Sequence, residues 1–290
     1  MTRAVSLVAS LLVVLTVLGG PSPAAEPCQE REIRVDVQAA RLGEDPSTFD
    51  LIDAIAASMR DDLGLKLPAW RKAYVCRDEA AFLEGLLRNF GAKVWDQSVT
   101  TSAGLATPIG IFLRGDYLAR LSLPGRLGVI GHELAHLNQQ ELAGPRAQEL
   151  PLWIVEGHAE WMAFSVIDRL GYGAYGAQRA EVVFAVSLRA IPHTLLPDLA
   201  RLESRERWQQ STLSLGHAAT YGQAYLAVDR LTERYGSTKV VEFLRGFATV
   251  ADFRERWNSV FPISYQQFID DFRAHVRGLG PGDDLRHTQG

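Results

Sequence analysis

The sequence predicts an α+β protein that is mainly helical, with an N-terminal mixed α/β part and a helical C-terminal part. Strand-like segments, in which apolar and polar residues alternate or β-formers cluster, occur only before residue 114. From residue 124 onward, apolar residues recur at spacings of three and four, which is typical of amphipathic helices. We therefore expect an α/β part at 25–123, a helical part at 124–277, and a disordered tail at 278–290.

The N-terminal part is expected to contain three strands and two helices. The strands are predicted at 32–38, 70–75 and 105–113. The helices are predicted at 46–63 and 78–91. Asp78 is the expected N-cap of the second helix, and Gly91 is its expected end. Pro108 lacks an N–H for a strand ladder, so the third strand is expected at a sheet edge or with a bulge.

The C-terminal part is expected to be helical throughout. Its helices are predicted from about 124 to 143, from 152 to 169, between 179 and 208 with breaks at Pro192 and Pro197, and at 215–235, 239–247, 251–261 and 264–276. Pro124 suits the first turn of the first of these helices, and Gly144 follows its end.

The first 24 residues have the features of a secretory signal peptide. One positive charge, on Arg3, precedes an apolar run at 5–18, and small residues follow the break at Pro21. Cleavage after Ala24 would export the protein to the periplasm or the medium. An uncleaved membrane anchor is the alternative, although the run is shorter than the roughly 20 residues that a span needs. No other stretch is apolar for long enough to suggest a membrane span.

The cysteine content agrees with export, and the charge distribution argues against a nucleic-acid partner. Cys28 and Cys76 are the two cysteines of the chain. In an exported protein such a pair is expected to form a disulfide, and two free thiols are the alternative. The formal net charge is −4, and lysine and arginine are scattered rather than clustered. A nucleic-acid partner is therefore not expected.

A zinc-binding pattern lies inside the first C-terminal helix. His132-Glu133-Leu134-Ala135-His136 is an H-E-x-x-H sequence. Residues four apart lie on one face of a helix, so two imidazoles could bind one zinc ion, with Glu133 beside them as general base. The apolar stripe of this helix lies almost opposite both histidines. The histidines are therefore expected to face away from the core.

The next predicted helix offers a third ligand. Glu156 and Glu160 lie four residues apart in a strongly apolar segment. Acidic groups in such surroundings are usually paired, hydrogen-bonded or bound to metal. A salt-bridged or solvent-facing pair is the structural alternative. The metzincin class of zinc site needs Gly at 139 and His at 142, where this chain has Gln139 and Leu142, so that class is excluded.

These motifs together resemble the gluzincin clan of zinc metallopeptidases, especially its peptidase MA-like group. The similar segments are 132–136, the Trp-Ile-Val-Glu-Gly-His-Ala-Glu run at 153–160, the Tyr-Gly-Gln-Ala-Tyr run at 221–225, and Arg-Tyr-Gly at 234–236. The resemblance implies a zincin-like fold with Zn²⁺ held by three residues: His132, His136 and Glu156. It also implies that Glu133 is the general base and that Glu160 orients a ligand histidine by hydrogen bonding.

A further group should stabilise the oxyanion that forms during hydrolysis. Tyr221 is favoured because its distance beyond Glu156 is similar to that of the tyrosine in related peptidases. Tyr225 and His217 are the alternatives, and all three also fit a packed helix face. Tyr221 is therefore assigned to catalysis with Glu133.

The expected function is that of an exported zinc-dependent peptidase, most simply an endopeptidase, whose partner is a peptide or protein substrate. The strand predicted at 105–113 would flank the cleft and pair with an extended substrate. Two alternatives remain. One is a zinc hydrolase of non-peptide amides or esters, and the other is a catalytically silent cell-envelope binding protein on a metallopeptidase fold.

Overall fold

A small mixed β-sheet precedes a larger helical body in a computed structural model of the chain. The structure describes residues 26–35, 42–61, 63, 65, 67, 71–91, 102–187, 195–250 and 252–279. The predicted signal peptide at 1–24 and residues 280–290 of the predicted tail lie outside the described residues. The mainly helical α+β class that the sequence predicts is confirmed.

The described strands form one four-stranded sheet. Its strands are β1 (Cys28–Glu32), β2 (Lys72–Cys76), β3 (Gly104–Thr107) and β4 (Gly110–Arg114). Their spatial order is β1-β2-β4-β3, with β2 and β4 parallel and the two outer pairings antiparallel. β3 is therefore an edge strand.

Two helices lie between strands of the sheet, the other described helices follow it in sequence, and the helices supply most of the core. The described helices are α1 (Thr48–Asp61), α2 (Glu79–Phe90), the single turn α3 (Gly115–Leu118), α4 (Leu123–Ala143), α5 (Leu152–Arg169), α6 (Tyr175–Val186), α7 (Arg205–Leu215), α8 (His217–Tyr235), α9 (Ser237–Gly246), α10 (Phe253–Val260) and α11 (Tyr265–Gly278). Short 3₁₀ turns lie at Gly144–Glu149 and Leu199–Leu202. None of the helices in the described ranges is long and apolar enough to cross a membrane.

Helix α5 joins the two main apolar cores. Ala159, Met162 and Val166 pack in the core formed with α1 and α4. Trp153 and Ile154, at the other end of α5, pack in the core of the C-terminal helices. The helix is therefore held at both ends, which makes its middle a rigid support for side chains.

The first strand lies earlier in the chain than the sequence predicts. The alternation at 32–38 predicted a strand there, but β1 ends at Glu32, which pairs with Lys72 at the start of β2. Ile33 still donates its N–H to the carbonyl of Arg71, 3.0 Å away, and the ladder stops there. Alternation shows which residues suit a pleated surface, whereas the partner strand decides where pairing begins and ends. Residues 36–38 lie outside the described part of the chain.

The segment at 105–113 is a hairpin rather than one strand. Pro108 and Ile109 form the turn between β3 and β4. Gly110 follows with φ of 149°, and a Cβ there would lie 1.8 Å from the carbonyl oxygen of Lys72. Proline in the turn and glycine after it allow the chain to reverse next to β2. The predicted edge position is correct for β3, and the prediction of a single strand is wrong.

One helix boundary in the C-terminal part also differs from the prediction. The helix expected at 215–235 begins after Gly216, because Gly216 has φ of 85° and ends α7 at Leu215. A positive φ suits glycine and breaks the helical hydrogen-bond ladder at that point. Pro192, one of the two expected breaks, lies outside the described residues.

The predicted disulfide is present. Cys28 and Cys76 are directly paired residues of β1 and β2, and their sulfur atoms are bonded. The bond joins the first described strand to the inner strand of the sheet.

Candidate metal centre

Helix α4 presents its two histidines to an open cleft. Ser122 caps the helix by accepting a hydrogen bond from the N–H of Gly125. The apolar stripe of α4 is fully buried at four positions: Leu127, Ile130, Leu134 and Leu137. His132 and His136 lie on the opposite side, with 15% and 17% of their side chains exposed. Both histidines therefore face away from the core while remaining shielded from bulk water.

Close contact between α4 and α5 brings Glu156 to these histidines. A Cβ placed on Gly131 would lie 3.3 Å from the Cα of Ala163, so α5 runs against the backbone of the motif helix. A Cβ on Gly157 would lie only 2.2 Å from the carbonyl oxygen of Ala224 in α8. Small residues thus let α5 lie tightly between α4 and α8.

Three possible metal-ligand atoms converge in the cleft. The Nε2 atoms of His132 and His136 are 3.0 Å apart. Oε2 of Glu156 lies 3.3 Å from Nε2 of His132 and 3.7 Å from Nε2 of His136. A tetrahedral zinc ion with bonds of about 2.0–2.2 Å separates its ligand atoms by about 3.3–3.6 Å. The distances and the donor types of these three atoms therefore fit three ligands of one zinc ion. Among the described residues, His132, His136 and Glu156 form a group that could hold a metal ion.

The electrostatics of His132 also suit a cation. Burial alone would lower the pKa of this imidazole, but the carboxylates of Glu156 and Glu160 outweigh burial and hold it well above the usual value. Oε1 of Glu160 lies 3.2 Å from Nδ1 of His132. Burial likewise opposes ionisation of Glu156, yet His136 and His132 lower its pKa below the usual value. Positive charge is thus favoured where the three atoms meet.

Glu133 lies next to the histidines and against the edge strand β3. The residue is 8% exposed, and the N–H of Ala106 donates a hydrogen bond to its carboxylate. A Cβ on Gly104 would lie 2.8 Å from Cγ of Glu133, so a residue without a side chain makes room for the carboxylate. Burial raises the pKa of Glu133 above its usual value. A raised pKa suits a carboxylate that accepts a proton near neutral pH.

The opposite wall of the cleft carries aromatic side chains. The rings of Tyr221 and His132 have centroids 6.2 Å apart. His217 stacks on Tyr221 at 3.6 Å, and Trp208 meets the same ring edge-on at 4.9 Å. Burial and the negative charge of Glu156 raise the pKa of Tyr221, so its hydroxyl keeps its proton and can donate a hydrogen bond.

Only two of the three oxyanion candidates line the cleft. Tyr221 and His217 do so, whereas Tyr225 is fully buried and packs against Phe164 with ring centroids 4.8 Å apart. One helical turn along α8 therefore separates a residue at the cleft from a residue in the core.

Two contacts at the site were not predicted from the sequence. Oε1 of Gln139 lies 3.0 Å from Nδ1 of His136, and the backbone of Ala106 binds Glu133. The spacing of three residues between His136 and Gln139 was a usable signal, because such residues are neighbours on a helix. The Ala106 contact involves a backbone group, so no side-chain pattern could show it.

The cleft has a volume of about 1020 Å³ and extends beyond the three converging atoms. Its walls include β3, the C-terminal end of α4, and one face of α7. Arg71 and Arg205 add positive charge to these walls. A cleft of this size has room for an extended chain as well as for a small ligand.

Comparison with known proteins identifies no family. No protein-family model matches the chain, and no solved structure matches it. Over 142 residues the chain is 25% identical to YhcO, an uncharacterised protein of Bacillus subtilis (strain 168). The aligned region covers 49% of this chain and 37% of that protein, so the chain spans little more than a third of its relative's length.

Proposed function

We propose that this protein is an exported zinc-dependent peptidase of gluzincin type with a zincin-like fold, acting as an endopeptidase. The observation that carries the proposal is the convergence of two imidazole nitrogens and one carboxylate oxygen at 3.0–3.7 Å, next to a buried glutamate. Two nitrogen ligands and one oxygen ligand leave one position of a tetrahedral ion for water, as hydrolytic zinc sites require.

His132, His136 and Glu156 would hold the zinc ion. The ion would supply Lewis-acid polarisation and lower the pKa of a bound water. Glu160 would orient His132, because its Oε1 lies 3.2 Å from Nδ1 and leaves Nε2 for the ligand position.

Glu133 would serve as the proton carrier. Its carboxylate accepts a proton from the attacking water and then gives it to the leaving amine nitrogen. Burial and the raised pKa strengthen its basicity, and the hydrogen bond from Ala106 keeps one orientation of the carboxylate. A site that only binds metal has no need of such a base.

Tyr221 would stabilise the oxyanion, because it lines the cleft with its ring 6.2 Å from that of His132, between centroids, and its hydroxyl keeps its proton. The edge strand β3 lies along the cleft on the side of Glu133. Among the described strands, β3 has no partner on its outer side, and this edge would pair with an extended peptide, which favours a polypeptide over a small amide or ester as substrate.

The disulfide supports the exported location within this proposal. Bonds of this kind persist in the oxidising periplasm and outside the cell and are rare in the cytosol. The signal peptide predicted at 1–24 would direct the chain there.

Metal analysis and an untargeted peptide-library digest test the proposal together. We expect close to one equivalent of zinc in the purified mature protein and cleavage within peptides that chelators suppress. Less than about half an equivalent, after gentle purification with zinc present, would contradict the metal site. Zinc binding combined with hydrolysis of esters or small amides alone would favour a zinc hydrolase of non-peptide amides or esters. Zinc binding without any hydrolysis would favour the silent binding protein.

The substitution Glu133→Gln tests the mechanism. It removes the proton acceptor and preserves the size of the side chain, so kcat should fall about 10²–10⁴-fold while zinc content stays the same. Glu181→Gln is the matched control, because Glu181 is exposed on α6 and should leave kcat unchanged. A Glu133→Gln protein with wild-type turnover would rule out the role given to this residue.

A further inference from the structure

The two histidines of the candidate metal centre are held by different groups. Nδ1 of His132 faces the carboxylate of Glu160, on helix α5. Nδ1 of His136 faces an amide oxygen, Oε1 of Gln139, at 3.0 Å and on its own helix. One imidazole is thus oriented by a charged group and the other by a neutral group.

The orientation of the Gln139 amide follows from its second contact. Its Nε2 donates a hydrogen bond to the backbone carbonyl of Val155, 2.7 Å away. A carbonyl oxygen only accepts hydrogen bonds, so the NH₂ end of the amide must face Val155. The amide oxygen must then face His136. An amide oxygen also only accepts, so Nδ1 of His136 must carry a hydrogen, and its Nε2 keeps the lone pair that a metal needs.

His158 completes the arrangement from the second helix. Its Nδ1 lies 3.2 Å from Nε2 of Gln139, within reach of the other amide hydrogen. Gln139 is 2% exposed and His158 is 1% exposed, so both contacts are shielded from bulk water. The ring of His158 also stacks on Trp161, with centroids 6.3 Å apart. The Gln139 amide therefore donates to two acceptors on α5, the carbonyl of Val155 and Nδ1 of His158. Its oxygen accepts from one donor on α4, the Nδ1–H of His136.

We propose that Gln139 is a positioning residue for the metal ligand His136, and that Val155 and His158 hold Gln139 in the only orientation that serves this purpose. The inference rests on the proposed function, since it assigns a role toward the zinc ion. It goes beyond that function by explaining why a buried glutamine and a buried histidine occur where α4 and α5 meet.

The same arrangement links metal affinity to the packing of two helices. Gln139 and His136 belong to α4, whereas Val155 and His158 flank the ligand Glu156 on α5. A shift of α5 relative to α4 would move Glu156 and release the amide that orients His136. All three ligands therefore depend on one helix interface.

Gln139→Leu tests the proposal through metal affinity. The leucine is similar in size and removes the acceptor of the His136 proton. We expect the dissociation constant for zinc, measured by competition with a chromogenic chelator, to rise about 10–100-fold. Gln266→Leu is the matched control, since it is the same substitution at an exposed helical position, on α11 and outside the cleft. It should bind zinc like the wild type.

A spectroscopic measurement separates positioning from a general effect on folding. In the cobalt-substituted wild-type protein, the Nδ1–H protons of His132 and His136 should give two exchangeable, paramagnetically shifted proton signals. Gln139→Leu should lose or broaden the His136 signal and keep the His132 signal. If the leucine variant does not fold, the wild-type spectrum still tests the proposal. The absence of a signal from the Nδ1 proton of His136 would overturn it.

The outcomes distinguish this inference from the proposed function. Absence of zinc binding by the wild-type protein overturns both. Wild-type binding, together with a Gln139→Leu affinity within about threefold of the wild type and an unchanged pair of signals, overturns the positioning role alone.

Discussion

Tyr221 illustrates how a single turn of helix separates a residue at the cleft from a residue in the core. It and Tyr225 lie on the same helix and in the same short motif, yet Tyr221 lines the cleft and Tyr225 has no exposed surface. The sequence favoured Tyr221 and left Tyr225 and His217 open, because a helix wheel without neighbours cannot tell a cleft from a core. The surrounding helices make this distinction.

Tyr221→Phe should lower kcat about 10²–10³-fold with little change in KM or zinc content, because in the proposed mechanism the phenol hydroxyl would stabilise the oxyanion and not the bound substrate. Steady-state kinetics on a cleaved peptide, with zinc measured in the same samples, would test this. Tyr225→Phe is the control, since it removes the same hydroxyl from the core and should leave kcat unchanged. Equal turnover by Tyr221→Phe and wild type would contradict the role of Tyr221 and leave His217 as the candidate oxyanion stabiliser at the cleft.

The proposed metal ligands were easier to predict than the residues that would orient them. His132, Glu133 and His136 follow from a five-residue pattern whose spacing places imidazoles on one helix face. Gln139 was noted only because it excludes one class of zinc site. Its contacts with Val155 and His158 depend on how a second helix is placed, and local spacing carries no such information.

Among the helices, the positions of glycine determine how closely they pack. Gly157 lets α5 touch the backbone of α8, since a Cβ at this position would lie 2.2 Å from the Ala224 carbonyl oxygen. Gly128 on α4 is less constrained, because its Cβ would meet only Cδ1 of Ile167, at an ordinary 3.7 Å. These two glycines look alike in the sequence and have different structural roles.

Gly157→Ala should destabilise the protein by about 1–3 kcal/mol, because the added methyl group must push α5 away from a backbone group that cannot move independently. Gly128→Ala, the control, should be neutral or should stabilise by up to about 1 kcal/mol through helix propensity. Urea unfolding of the metal-free proteins measures both. A Gly157→Ala protein as stable as Gly128→Ala would show that the helices are less tightly packed than the structure indicates.

Element boundaries were predicted well where a local signal ends the element. Asp78 does cap α2, accepting a hydrogen bond from the N–H of Ala81, and Gly91 follows its last residue. The expected ends of α4 and α5 agree with the structure to within a residue or two. The strands were placed less accurately, because strand ends depend on a partner that is distant in sequence.

At the scale of the whole molecule, the Cys28–Cys76 bond ties the start of the described chain to the inner part of the sheet. It closes a loop with a sequence separation of 48 residues that contains α1. The main effect of such a bond is to restrict the unfolded chain.

The double substitution Cys28→Ser, Cys76→Ser should lower the free energy of unfolding by about 4 kcal/mol in the chain-entropy picture. Urea unfolding of the variant and of the wild type, each with and without dithiothreitol, provides the measurement. The reductant should destabilise the wild type toward the variant and leave the variant unchanged. Sensitivity of the variant to reductant would show that the effect does not arise from this bond.

Local sequence patterns were enough to predict the α+β class, the run of helices after residue 123, the pairing of the two cysteines and the candidate ligands on α4. These features depend on local periodicity, on the residues that begin and end helices, and on residue counts, all of which can be read from the sequence. The structure decided the hairpin at Pro108, the separation of Tyr221 from Tyr225, and the amide that holds His136. Each of these depends on a partner brought close by packing, and distance along the chain does not specify which partner that is.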